Sequence, residues 1–113
     1  MESQVQLHEE RLRLLNKFTE ALPNLMTVER PVIDEAYKAG ALSTKTKRLM
    51  SLALALGAVC TNCILGQTGR ALDVGASKEE ILETLSVVVS MRGTTGIAES
   101  LRVIKLLEEM GKL

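Results

Sequence analysis

The stretch Ser77-Lys78-Glu79-Glu80-Ile81-Leu82-Glu83-Thr84-Leu85-Ser86-Val87-Val88-Val89 decides between a helical and a mixed fold. Its three closing valines are β-branched and, taken alone, read as a strand. Its opening Ser77-Lys78-Glu79-Glu80 is a capping box, in which the Ser77 hydroxyl and the Glu80 carboxylate each satisfy the other residue's backbone N–H. Ile81, Leu82, Leu85, Val88 and Val89 then recur at helical spacing. A start signal followed by a periodic face outweighs three valines. The segment is read as a helix, and the chain as all-α.

The neighbouring segments follow the same pattern. Gly93-Thr94-Thr95-Gly96 is the clearest turn, and Ile97, Leu101, Ile104 and Leu107 stripe a final helix after it. On the other side, Cys60 to Leu72 reads as a helix stopped at Gly75. Before it, Ser43 caps a helix that carries Lys45, Lys47 and Arg48 and then an apolar run from Leu49 to Cys60, with Gly57 as its end or bend. A helix from about Ser3 to Leu22 carries Leu7, Leu14, Phe18 and Ala21 on one stripe, and Pro23 ends or kinks it. A further helix is expected from about Thr27 to Lys38, with Pro31 in its first turn. This makes a single-domain bundle of about six helices over residues 1–113. The Leu49–Cys60 helix is hydrophobic nearly all round, which in so small a domain points to contact between subunits.

Composition excludes several classes. Of 113 residues, 46% are hydrophobic and 2% aromatic, and 14 Lys and Arg balance 14 Asp and Glu for a net charge of +0. A nucleic-acid binder needs surplus cations to displace counterions, and a single-strand platform needs aromatic rings. Neither is present, so no nucleic-acid partner is expected. The Leu49–Cys60 run is far shorter than the ~20 residues that span a bilayer. The N-terminus, Met1-Glu2-Ser3-Gln4, lacks the basic-then-apolar order of an export signal. The expected setting is the reducing cytoplasm, with no membrane partner.

Cys60-Thr61-Asn62-Cys63 carries the chemistry. Two sulfurs at this spacing at a helix start lie near the helix's positive end, which favours a thiolate, and such a pair can cycle between dithiol and disulfide. Other readings are two inert core cysteines or a zinc site. Zinc needs four ligands, and this chain adds only His8, distant in sequence and read as a surface residue. The βαβ context of a thioredoxin is missing. Met26, Met50, Met91 and Met110 read as filler rather than ligands. A redox dithiol on a helical scaffold, with no cofactor, is the leading reading.

Four pieces occur in order: Ala41-Leu42-Ser43-Thr44-Lys45-Thr46-Lys47-Arg48-Leu49, Ala53-Leu54-Ala55, Cys60-Thr61-Asn62-Cys63 and Gly75-Ala76-Ser77-Lys78-Glu79-Glu80-Ile81. Together they resemble the carboxymuconolactone decarboxylase family, in particular its alkylhydroperoxidase D-like branch, over about residues 31–107. The resemblance implies an all-helical fold assembled as a trimer or hexamer. It also implies thiol-dependent reduction of hydroperoxides with electrons from a partner protein, Cys63 attacking and Cys60 resolving. The helix-dipole argument would instead favour Cys60 as the thiolate.

The departures from that branch lie at two positions. Its pattern places a Glu twelve residues before the first cysteine and a His four after the second, where this chain has Arg48 and Gln67. The Glu and His relay protons in the branch; Arg48 does not deprotonate at ordinary pH, and Gln67 has no titratable proton. Arg48 near Cys60 would favour a thiolate by charge, or it is simply part of a basic helix start with Lys45 and Lys47. Gln67 would hydrogen-bond a sulfur or a substrate, or sit on the surface. The expected function is reduction of a small hydroperoxide or disulfide. The alternatives are a decarboxylase-like enzyme of aromatic catabolism and a non-catalytic oligomeric module.

Overall fold

The computed structural model describes residues 1–113. It contains six helices and no strand: α1 (Gln4–Ala21), α2 (Pro23–Tyr37), α3 (Thr44–Gly57), α4 (Thr61–Asp73), α5 (Lys78–Arg92) and α6 (Thr94–Glu109). The capping box forms as read. Glu80 N donates to Ser77 Oγ at 3.0 Å and Ser77 N donates to Glu80 Oε1 at 2.9 Å. Those contacts and Lys45, whose Nζ lies 2.9 Å from Glu80 Oε2, hold the Glu80 carboxyl below its ordinary range. Val87, Val88 and Val89 are helical.

The core is drawn from α3 to α6 and the turn before α5. Leu52, Ala55 and Leu56 of α3 meet Ile64 and Ala71 of α4, Ile81, Leu85 and Val88 of α5, and Val103 and Leu107 of α6. Helices α1 and α2 supply nothing to this cluster. The start of α1 is pinned to the end of α6, where Glu109 accepts from the Ser3 hydroxyl and from Gln4 N at 2.7 Å. Beyond that anchor the apolar stripe of α1 is partly uncovered. Leu14 and Phe18 are exposed, as are Leu22, Leu25, Val28 and Val32 running into α2.

Four sequence expectations are corrected. Pro23 does not merely end α1: Leu22 breaks the helix and Pro23 opens α2 at once, since its missing N–H is no loss in a first turn. Thr27 therefore lies inside α2, its hydroxyl donating to Pro23 O at 2.9 Å, and Pro31 is a helix-interior proline. The turn after α5 is Gly93 alone (φ 61°), and Gly96 belongs to α6. A Cβ on Gly96 would stand 3.1 Å from Val88 O, so this glycine serves close helix packing. On α6 the buried face is Gly96, Ser100, Val103, Leu106 and Leu107, while Ile97 and Leu101 are exposed. Finally, the Leu49–Cys60 run is not all helix and not all buried. Helix α3 ends at Gly57, as that glycine's reading as an end or bend expects, and Leu54 is 72% exposed.

Candidate functional site

The link between α3 and α4 sets the geometry of the cysteines. After Gly57 the chain makes a Schellman turn, with Cys60 N donating to Ala55 O at 3.2 Å and Val59 N to Leu56 O at 3.3 Å. The left-handed position of such a turn is usually glycine. Gly75 (φ 89°) and Gly111 (φ 71°) fill it after α4 and α6, but after α3 it is Val59, at φ 56°. A β-branched residue held there costs on the order of 1–3 kcal/mol. The strain sits one residue before the first sulfur. Val59→Gly is therefore expected to raise stability by about 1 kcal/mol, after allowing for glycine's greater unfolded-state freedom. Urea unfolding would read this, and an unchanged or lower midpoint would count against strain at Val59.

Cys60 is the N-cap of α4, and its Sγ accepts from Cys63 N at 3.3 Å. The two cysteines are joined as a disulfide with their Cα atoms 5.1 Å apart. Cys60 is half-buried and Cys63 is exposed. Cys60 Sγ thus sits at the positive end of α4, where it already accepts from a backbone N–H, a setting that stabilises a thiolate once the pair is reduced.

Arg48 and Gln67 are brought together, with Arg48 Nη1 3.5 Å from Gln67 Oε1 across the α3–α4 contact. Neither makes a hydrogen bond to a sulfur. The partner that the sequence did not reveal is Tyr37 at the end of α2. The Arg48 guanidinium lies 3.4 Å from the centre of its ring, and the Tyr37 hydroxyl is hydrogen-bonded to Ser51. Burial, and then the charge of Arg70, lowers the Arg48 proton affinity, while Tyr37 opposes both. Arg48 is thus not a freely solvated cation: it lies between Tyr37 and Gln67.

His8 does not lie free on the surface either. It packs against Gly69 of α4, half-buried, with Nδ1 enclosed and unpartnered. Gly69 lies six residues beyond Cys63, roughly 9 Å along the helix axis, so the imidazole serves a different region from the sulfurs. No group of three or more His, Cys, Asp and Glu side chains is gathered to hold a metal.

Six helices around a Cys-x-x-Cys at a helix start define a class of small helical proteins, and sequence comparison gives the class its family. The carboxymuconolactone decarboxylase family model matches residues 30–106, and the chain belongs to that family. It is similar to the apo crystal structure of a carboxymuconolactone decarboxylase family protein from Legionella pneumophila. The two are 32% identical, with 96% of this chain and 97% of that one covered at a TM-score of 0.86. A protein from Thermotoga maritima is similar at 30% identity, covering 92% of this chain and 95% of its own, with a TM-score of 0.77. An uncharacterized protein of Cupriavidus necator shares 32% identity over 77 residues, 68% of each chain.

Proposed function

We propose that the protein is a dithiol oxidoreductase of the alkylhydroperoxidase D-like kind that reduces a small hydroperoxide or disulfide through Cys60 and Cys63. The observation that carries this reading is the disulfide at the first turn of α4, with Cys63 exposed and Cys60 held at the N-cap. The Cys63 thiolate attacks the distal oxygen of a hydroperoxide, the O–O bond breaks, and an alcohol leaves once its alkoxide gains a proton. Cys60 attacks the resulting sulfenic acid, releasing water and forming the disulfide. An external dithiol, best supplied by an electron-donor protein, then returns two electrons. When that donor forms a mixed disulfide with Cys63, Cys60 leaves as a thiolate stabilised by the α4 amides, which eases exchange.

Arg48 and Gln67 supply no proton relay, so solvent must deliver the alkoxide's proton and turnover is slow. The reduced pair that the cycle requires fits the cytoplasm, and the balanced net charge offers no general attraction to nucleic acid. The exposed apolar side chains of α3 and α5 support a homo-oligomer, a trimer or hexamer by resemblance.

Equilibration in glutathione redox buffers, followed by alkylation and mass spectrometry, tests the chemistry. The expected result is two interconverting species, one unlabelled and one doubly labelled, with hydroperoxide consumption lost in Cys63→Ser and Cys60→Ser. Activity untouched by alkylation would favour the decarboxylase-like reading. A pair that never closes again would favour a non-catalytic module.

A further inference from the structure

The face of α4 away from Arg48 carries a second arrangement. His8 and Arg11 stand three residues apart on α1, and Gly69 and Gly66 stand three apart on α4 in the opposite sense. A Cβ on Gly66 would collide with the Arg11 guanidinium, and one on Gly69 would meet His8 Nε2 at 3.0 Å. The two glycines thus make the notches in which these side chains lie. Beside them is a cavity of about 680 Å³ whose charged lining is Arg11, Arg70, Lys112 and Asp73. That gives three permanent cations against one carboxylate, a surplus of two positive charges while His8 is neutral.

Neither Arg11 nor Arg70 is within ion-pair distance of a carboxylate, and neither guanidinium donates a hydrogen bond within the protein. Elsewhere the fold pairs such groups: Arg13 is bonded to Glu10, Arg92 to Gly57 O and Arg102 to Gln4. Half-buried guanidinium groups that repel one another, with Asp73 on the wall but no carboxylate in contact, are costly unless a ligand supplies a counter-charge. The chamber is larger than a bare inorganic anion requires, and Leu12, Leu72 and Met110 add apolar wall to it.

We propose that this cavity is a binding site for a small dianionic organic phosphate, its phosphoryl oxygens taken by Arg11, Arg70 and Lys112 and its organic portion lying against Leu12, Leu72 and Met110. The site stands independently of the dithiol chemistry. A guanidinium fork matches any oxyanion, so a carboxylate and a phosphate share the basic recognition. The doubled cation surplus is what selects the dianion. His8 lines the same space.

His8 is the only histidine, so its imidazole resonance reports the site without ambiguity. In the free protein, burial and then Arg11 keep its pKa below 6.5, with Asp73 and Glu9 opposing them. Arg70 and Lys112 are the remaining charges on the cavity wall. A bound dianion offsets the cations that disfavour imidazolium, so the His8 pKa should rise. The probes are phenyl phosphate, inorganic phosphate and benzoate at matched ionic strength.

Phenyl phosphate is expected to shift the resonance saturably, to raise the His8 pKa, and to bind at least tenfold more tightly than benzoate. Losing one charged hydrogen-bonding partner typically weakens binding about ten- to a hundredfold. Arg70→Gln and Lys112→Gln should each show that loss. Lys112 follows the last helix and is exposed, so its variant tests the site without threatening the fold. Arg30→Gln, exposed on α2, should bind like the parent. Equal affinity for benzoate would overturn the dianion assignment, and equal affinity for inorganic phosphate would overturn the organic one. No saturable shift, or unchanged binding in both variants, would overturn the site.

Discussion

Arg48→Glu combined with Gln67→His is expected to raise hydroperoxide turnover by about 10²- to 10⁴-fold, the usual worth of positioned general acid–base assistance. The two positions are already neighbours across α3 and α4, with the parent side chains 3.5 Å apart. A carboxylate and an imidazole placed there would reach each other, and position 67 lies one helical turn beyond Cys63. The imidazole could then take the Cys63 proton and return it to the departing alkoxide, while the carboxylate orients the ring. The substitution gives up the stacking of Arg48 on Tyr37, worth about 0.5–1 kcal/mol at a partly exposed site. It also turns the repulsion between Arg48 and Arg70 into an attraction. Gln67→His alone should gain less, because Arg48 would repel the imidazolium and leave the ring without its carboxylate. Peroxide consumption with a dithiol reductant measures the change, and adding Cys63→Ser to the double variant should abolish it. A folded double variant that gains nothing would mean that the missing relay does not limit this protein.

What the sequence revealed was local. Ser77 and Glu80 are three residues apart, and their reciprocal bonds form within one turn, so no tertiary knowledge was needed to foresee α5. Cys60 and Cys63 were legible for the same reason. Pro23 was ambiguous because proline both stops one helix and starts another, and a one-residue break at Leu22 leaves no signature. Gly96 looked like turn punctuation, yet it is required because the α5 backbone approaches it. Gly66 and Gly69 hold places inside a helix, where glycine is unfavourable, and that cost was the one available hint that α1 packs closely there. The Tyr37–Arg48 stack was invisible, since it depends on how α2 returns onto α3. Periodicity showed that α1 has an apolar face; it said nothing about what covers it, and within one chain much of that face is uncovered.

The proposed homo-oligomer is expected to fall to a monomer of about 12.3 kDa in the double variant Leu54→Asp with Met91→Lys. Leu54 is 72% exposed and Met91 82% exposed, and together with Met50 and Val87 they border an apolar groove of about 480 Å³ between α3 and α5. Isolated exposed leucines are ordinary, but a contiguous apolar groove in a 113-residue chain is a surface that association would cover. A second copy is the fitting occupant, because the chain carries its own complementary apolar surface on α1 and α2, from Leu14 and Phe18 to Val28 and Val32. Burying a leucine or methionine side chain contributes about 1.5–3 kcal/mol, so removing two from each interface weakens association by roughly 10²- to 10⁴-fold. Placing charged groups there adds the cost of desolvating them. Neither side chain belongs to the buried core cluster, so the monomer should keep its helical content and its Cys60–Cys63 pair. Light scattering across a size-exclusion peak reads the outcome at micromolar concentration. The parent should elute as a trimer or hexamer and the double variant as a monomer. A parent that is already monomeric would remove the case for assembly. A variant that stays assembled would remove the α3–α5 groove from the interface and leave contact between the α1–α2 arms alone, which Phe18→Lys would test.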